Sequence, residues 1–427
     1  MKRHQLVRLM AVLGVLALVA AACGGSSKNT TTNTTAGKNK TLATQPYFDG
    51  TTIHVGSVTP LSGPVAVIGK PLTNGTETWF NYLNKEKGGI AGKYQVKVDE
   101  EDSLYKPDVG VQAYNKLKGT VALFAQLLGT PVTKAVLPQL RTDQIIAAPA
   151  SLDADWVRDP NLLPVGGPYE IQMINAADYL VKDGGMKDKT MCSMIQNDAY
   201  GESGQRGVDF AAKEDGFTVK TTAKYATPLA DATAQIQQLK SAGCQVVFLV
   251  STPGDTGTIM KFAAQLQFAP QWVGQSPTWL GAFATSALAP YLQAHFLLAA
   301  EGTEWGDTSV KGMADMLDRI QKYAPAQKPD IYFVFGYYQA EAVTALLEKA
   351  VAMGDLSRQG LLNALNSLGT ISFDGLTGDY EYGKPADRNP PRVTTLYKVD
   401  PAKPGGLAKL KYEYESDAAK KFAFKSS

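Results

Sequence analysis

From residue 52 onward, short apolar runs alternate with longer stretches in which apolar positions recur at helical spacing. The pattern predicts strands at 52–60, 94–99, 121–127 and 145–148, separated by helices at 72–86, 108–117 and 130–141. After Pro160, Pro164, Gly166, Gly167 and Pro168 the same grammar restarts. It predicts helices at 169–181, 202–214, 232–241 and 256–266, and strands at 190–195, 218–224 and 245–250. Strand and helix in alternation favour parallel sheets covered by helices, so the chain reads as two α/β lobes. The C-terminal third adds a strand at 296–301 and three helices. Met313, Met316, Leu317 and Ile320 form one helical core stripe, and Val343, Leu346, Leu347, Ala350 and Val351 another. The strand-like, Gly- and Pro-rich stretch 373–412 is expected to complete the two lobes already built.

The first residues change the picture from a cytosolic to an exported protein. Lys2, Arg3 and Arg8 precede an apolar run over 9–22, which is shorter than the ~20 residues a spanning helix needs. It reads as a signal peptide over 1–22. Ala20-Ala21-Ala22-Cys23 resembles a bacterial lipobox, although Ala20 stands where leucine is usual, and marks Cys23 for lipidation. The Gly-, Ser-, Thr- and Asn-rich segment that follows is expected to form, with Cys23, a flexible tether over 23–50. The whole chain carries 42 basic and 40 acidic residues, and three of the basic ones belong to the leader. A near-neutral body without a basic run excludes nucleic acid as a partner class.

Candidate chemistry is sparse. His54 and His295 lie in or beside predicted strands, without a Ser, Cys or carboxylate at catalytic spacing. No zinc-binding cluster or Walker loop is present, and no metal or cofactor is expected. Gly201-Glu202-Ser203-Gly204 is followed by Gln205 where a nucleophile elbow needs glycine. Cys192 and Cys244 in an exported protein are either a disulfide or two packed thiols.

Three motifs in order carry a resemblance. Val58-Thr59-Pro60-Leu61-Ser62-Gly63-Pro64 follows the first strand, Gly88-Gly89-Ile90-Ala91-Gly92 precedes the second, and Asn197-Asp198-Ala199-Tyr200-Gly201-Glu202 opens the second lobe. Together they resemble the leucine/isoleucine/valine-binding proteins of the type I periplasmic-binding fold. That resemblance implies two Rossmann-like lobes joined by three crossings, one of residues 52–166 with 304–371 and the other of 167–303 with 372–413. It also implies a non-enzymatic, monomeric lipoprotein on the outer face of the membrane, delivering a small molecule to an ABC transporter permease.

Ligand is expected between the lobes, at the C-terminal ends of the strands. The resemblance implies contacts from Gly129 and Thr130, from Ala150 and Ser151, and above all from Tyr200. Ser62, Gln126, Thr252, Gln275, Ser276 and Phe333 complete the expected set. Some positions depart from the family. Ile68 and Thr252 stand where aromatics are expected, and Gln275-Ser276-Pro277 where an acid would face a ligand ammonium. The ligand is therefore expected to be other than an ordinary branched-chain amino acid, unless Glu301, Glu304 or Asp307 reaches the cleft. A receptor-coupled sensor of the same fold and an exported hydrolase are the rival readings.

Overall fold

The computed structural model describes residues 42–425. The leader, Cys23 and the greater part of the expected tether lie outside them. Residues 42–50 were expected to belong to the tether but are ordered. Leu42, Tyr47 and Phe48 are buried, and the Tyr47 hydroxyl donates to the Leu356 carbonyl at 3.1 Å. Three apolar side chains close together give that stretch something to bury, which the polar residues before it lack.

Two sheets organise the chain. The first has four strands in the order β2-β1-β3-β4, all parallel: β1 (Thr52–Thr59), β2 (Gln95–Asp102), β3 (Phe124–Leu128) and β4 (Ala147–Ala150). Helices α1 (Ala66–Glu86), α2 (Pro107–Leu117) and α3 (Thr130–Asp143) connect these strands. Strand β3 is buried throughout, as a central parallel strand must be, whereas β2 carries its charged residues at the edge.

The second sheet has seven strands in the order β13-β12-β9-β8-β7-β5-β6. Its parallel part comprises β5 (Met191–Gln196), β6 (Val219–Tyr225), β7 (Val246–Val250), β8 (Gln271–Gln275) and β9 (Phe296–Ala300). Helices α4 (Tyr169–Lys182), α5 (Ala199–Asp215), α6 (Thr233–Ser241), α7 (Pro253–Gln265) and α8 (Ala289–His295) accompany it. Beside this parallel part, β12 (Thr394–Val399) and β13 (Leu407–Tyr414), from the stretch expected to complete the lobes, join antiparallel beyond β9. The short connection over 400–406 makes the two a hairpin, antiparallel to each other.

Helices α9 (Lys311–Tyr323), α10 (Ile331–Met353) and α11 (Arg358–Asn366) lie between β9 and the small ribbon of β10 (Thr370–Ile371) and β11 (Tyr380–Glu381). Helix α12 (Asp417–Lys421) follows the last strand and packs on α4. Helix α10 packs along α1 with backbones nearly touching. A Cβ on Gly336 would lie 1.9 Å from the Leu72 carbonyl oxygen, and one on Gly75 would lie 2.1 Å from that of Phe333. The chain thus passes between the sheets three times: after Ala150, after Ala300 and before Thr394. Cys192 on β5 and Cys244, just before the neighbouring β7, form a disulfide with a Cα–Cα distance of 5.8 Å.

Candidate functional site

Parallel strands bring their C-terminal ends to one side of a sheet, and both sheets turn those ends toward a common cavity. Gly129 and Thr130 follow β3, Ser151 follows β4, Tyr200 lies in the first turn of α5, Thr252 follows β7, and Ser276 follows β8. All of these line one cavity of about 1160 Å³, its open mouth included. Its two walls touch where the Tyr332 hydroxyl, on α10, donates to the carbonyls of Pro277 at 3.1 Å and Trp279 at 2.6 Å.

Local sequence fixes the polar rim. Asp198 caps α5 by accepting from the Tyr200 and Gly201 amides at 3.0 and 3.1 Å. Gly201 permits the tight turn, because a Cβ there would lie 1.7 Å from the Gln196 carbonyl oxygen. Tyr200 is thereby held against Tyr169, ring centroids 5.2 Å apart, with its hydroxyl donating to the Ser251 carbonyl at 3.3 Å. The Ser151 hydroxyl accepts from the Trp156 indole at 3.1 Å, and the Thr252 hydroxyl donates to Asp255 at 3.2 Å. Thr130 is different: its hydroxyl is buried in the cavity wall, at the start of α3, with no protein partner among the described residues. Pro131 supplies no amide in that first turn, which leaves the hydroxyl as a principal donor.

Some expected residues lie elsewhere. Ala150 is on the lining, but the Ser62 hydroxyl is exposed and donates to Asp102 at 2.6 Å, away from the cavity. Gln126 is enclosed beneath β3, exchanging 3.2 Å hydrogen bonds with Thr73 and Thr76. Gln275 is buried behind Tyr200. Phe333 faces the core, with its ring 6.2 Å from Trp305 and 6.5 Å from Tyr337, while its neighbours Tyr332 and Val334 take the lining. A helix apolar on every side gives no periodic signal for which face meets a ligand.

Two features were not assigned from sequence. The first is an apolar extension built from Trp279, Leu298, Trp305, Ile331, Phe335 and Leu407. Trp279 follows β8, Leu298 lies on β9, Trp305 in a crossing, Ile331 and Phe335 at the start of α10 and Leu407 at the start of β13, places that no local pattern links. Gly281, Pro329, Gly405 and Trp305 meet there, and the Trp279 indole donates to the Gly405 carbonyl at 3.0 Å.

The second is the charge of the lining. Glu301, Glu304 and Asp330 border the cavity, and among the described residues no Lys, Arg or His does. The expectation of a ligand other than a branched-chain amino acid is conditional on no nearby acid reaching the cleft, and two of the three named do: Glu301 follows β9, one strand along from the expected position, and Glu304 joins it, whereas Asp307 pairs with Lys409 at 2.6 Å, off the lining. Glu304 is paired with Lys403 at 3.0 Å. Asp330 caps α10, accepting from the Tyr332 and Phe333 amides, and burial raises it to about 7. Glu301 has neutral partners: the Gln172 amide at 2.7 Å, the Tyr338 hydroxyl at 3.4 Å and the Ser276 hydroxyl. Burial, partly opposed by these hydrogen bonds, pushes its carboxyl up to about 7.

Two α/β layers, three crossings and an enclosed cleft at the strand ends define a two-lobed ligand-binding protein. The chain belongs to the Periplasmic binding protein family, which it matches over residues 52–405. It is a substrate-binding protein and not an enzyme, as expected. It is 26% identical to the Leu/Ile/Val-binding protein BraC3 of Rhizobium johnstonii, over 77% of this chain and 88% of that one. It is 28% identical to Leu/Ile/Val-binding protein homolog 3 of Brucella melitensis, but over only 52% of this chain and 59% of the relative. Among solved structures, the fatty acid ABC transporter substrate-binding protein from Thermomonospora curvata superposes with a TM-score of 0.83 at 24% identity, covering 90% of this chain and 98% of that one. A branched-chain amino acid ABC transporter structure from Thermus thermophilus with bound valine gives 0.74 at 15% identity, over 87% and 98%. At these identities the two structures establish the shared fold.

Proposed function

We propose that the protein is an exported lipoprotein, anchored through Cys23, which captures an amphipathic carboxylate larger than a branched-chain amino acid and hands it to an ABC importer. The lining of the cavity carries this reading: beyond the hydroxyl rim most of its wall is apolar, with Trp279, Trp305 and Phe335 among the residues that form it. Leucine would leave the extension beside Trp279 and Trp305 without contacts, and unfilled apolar space gives no dispersion energy. An alkyl or aromatic tail fills it, while the Thr130 and Ser151 hydroxyls, whose hydrogens are not given to protein acceptors among the described residues, supply neutral donors for the head group. The named specificity of the Thermomonospora neighbour agrees with such a ligand, and the names of the Rhizobium and Brucella relatives point to the smaller alternative.

The test is a thermal-shift panel on protein unfolded and refolded to remove ligand carried through purification. Decanoate is expected to stabilise by about 2.7 kcal/mol at a hundred times its Kd, whereas leucine, isoleucine and valine at the same concentrations leave Tm unchanged. Stabilisation by leucine alone would replace this reading with the amino-acid one. Mass spectrometry of membrane-extracted protein is expected to show an acylated N-terminal Cys23, and Cys23→Ala to free the protein from the membrane.

A further inference from the structure

A carboxylate ligand in a cavity bordered by three acids and no base raises the question of what faces its charge. Glu304 and Asp330 already have partners in Lys403 and two backbone amides. Glu301 does not have a cation. The side chains that hydrogen-bond to it, Gln172, Tyr338 and Ser276, donate, and the Gln172 oxygen is itself occupied by the Ser276 amide at 3.0 Å. The Gln172 amide nitrogen cannot accept, and the Tyr338 hydroxyl lies 3.4 Å away, so a proton carried by Glu301 is held weakly by its neighbours and can turn to the cavity.

We propose that Glu301 receives the ligand as a neutral carboxylic acid, donating its O–H to the ligand's carboxylate, so that capture takes up one proton. This rests on the amphipathic-carboxylate reading above. The position of the group supports it in two further ways. Tyr169 joins Glu301 to the polar rim, since its ring packs on Tyr200 and its hydroxyl lies within electrostatic reach of Glu301. Glu301 also borders a small second pocket, lined by Gly167, Thr377, Pro391 and Thr395 and, from β13, by Tyr412 and Glu413. Glu301 borders both cavities and can exchange its proton on the crossing side while ligand closes the other.

The titratable groups facing Glu301 are Tyr169 from α4, Tyr332 and Tyr338 from α10, Tyr397 from β12, Tyr412 and Glu413 from β13 across the second pocket, and Glu304 from its own crossing. The tyrosines are held above their usual range by burial and stay neutral through the pH range of interest. In the free protein Glu301 loses its proton near pH 7. A bound anion disfavours that loss, so binding above this pH must draw a proton from solvent. Atoms balance: one proton moves from water to Glu301, and no other bond changes.

Calorimetry with decanoate, in buffers of different ionisation heat, is the experiment. At pH 8 the full-length protein is expected to take up close to one proton per decanoate, with Kd weakening about tenfold per pH unit from 8 to 9. Glu301→Gln, whose amide still donates, is expected to bind decanoate at pH 7 with no proton uptake and a flat pH profile. This variant also separates Glu301 from Asp330, which titrates in the same range. Decanamide should bind without pH dependence. Flat decanoate binding by the wild type or proton release would overturn the proposal while leaving the amphipathic-carboxylate reading in place, whereas tighter binding of decylamine than decanoate would overturn both. Binding of none of the three would overturn both.

Discussion

Glu170 and Glu301 are two enclosed acids near the crossings, and their surroundings differ in kind. Glu170 is fully buried on α4 and meets the Arg206 guanidinium at 2.6 Å, which also holds Asp153 at 2.5 Å and so ties α5 to the segment after β4. Its other oxygen accepts from the Ala154 amide at 3.0 Å. Both Glu170 oxygens are thus engaged inside the protein, and the cluster is absent from the cavity lining. Glu301 retains some accessible surface, borders the cavity and has only neutral donors. Burial raises both carboxyls, that of Glu170 well above its ordinary value despite Arg206; the one given a counter-charge inside the protein is structural, whereas the one left without it in an apolar wall waits for something from outside.

The largest effect should come from breaking the first of these sites. Arg206→Met removes the counter-charge of two buried acids and is expected to cost about 2–4 kcal/mol in urea unfolding, less than the upper limit for such pairs because water still reaches Arg206. A cost below about 0.5 kcal/mol would erase the contrast between the two acids.

Next comes the unpartnered hydroxyl of the rim. Thr130→Val removes a buried group that has no partner in the free protein, so stability should hold or rise slightly. Affinity for decanoate should fall by about 10- to 100-fold, the loss of a hydrogen bond to a charged acceptor, read by calorimetry. Equal binding by this variant would place the head group elsewhere.

Glu301→Gln should change stability by less than about 1 kcal/mol at pH 5, where the wild-type carboxyl is largely protonated in the folded chain and only the first part of its linkage cost has built up in the unfolded one. Burial raises the folded value to about 7, from an ordinary value of 4.5. The proton is then held more tightly in the folded state, and wild-type stability declines as pH rises from about 4.5 to 7, then levels off. The variant lacks this decline. Urea midpoints of the two proteins should therefore diverge in favour of the variant across that window, and parallel curves would deny that Glu301 titrates high.

These contrasts also mark where the chain is legible as sequence and where it is not. The alternation that predicts the lobes works because each strand is an apolar run followed by an amphipathic helix. It fails at β8, where Gln271, Gly274 and Gln275 interrupt the run; β12 and β13 fall in the stretch read as strand-like, but their pairing with β9, about a hundred residues upstream, has no local signal. At the site, Thr130, Ser151 and Tyr200 are visible because each lies just beyond a strand. Ser62 and Gln126 occupy similar positions, but their side chains are drawn to Asp102 and to Thr73 and Thr76. The apolar extension was unreadable because it is assembled by the crossings. Glu301 was visible as a nearby acid, yet only the register of β9 beside β8 brings it next to Ser276.

The central claim is that an apolar tail fills the extension while a carboxylate meets the rim, and a chain-length series tests it most directly. Calorimetry on the refolded protein at pH 7, with straight-chain carboxylates from hexanoate upward, should show affinity rising by about 0.8 kcal/mol per added methylene until the cavity is full. Leucine under the same conditions should bind no tighter than about 1 mM. Affinity that does not change with chain length, or micromolar binding of leucine, would contradict the account.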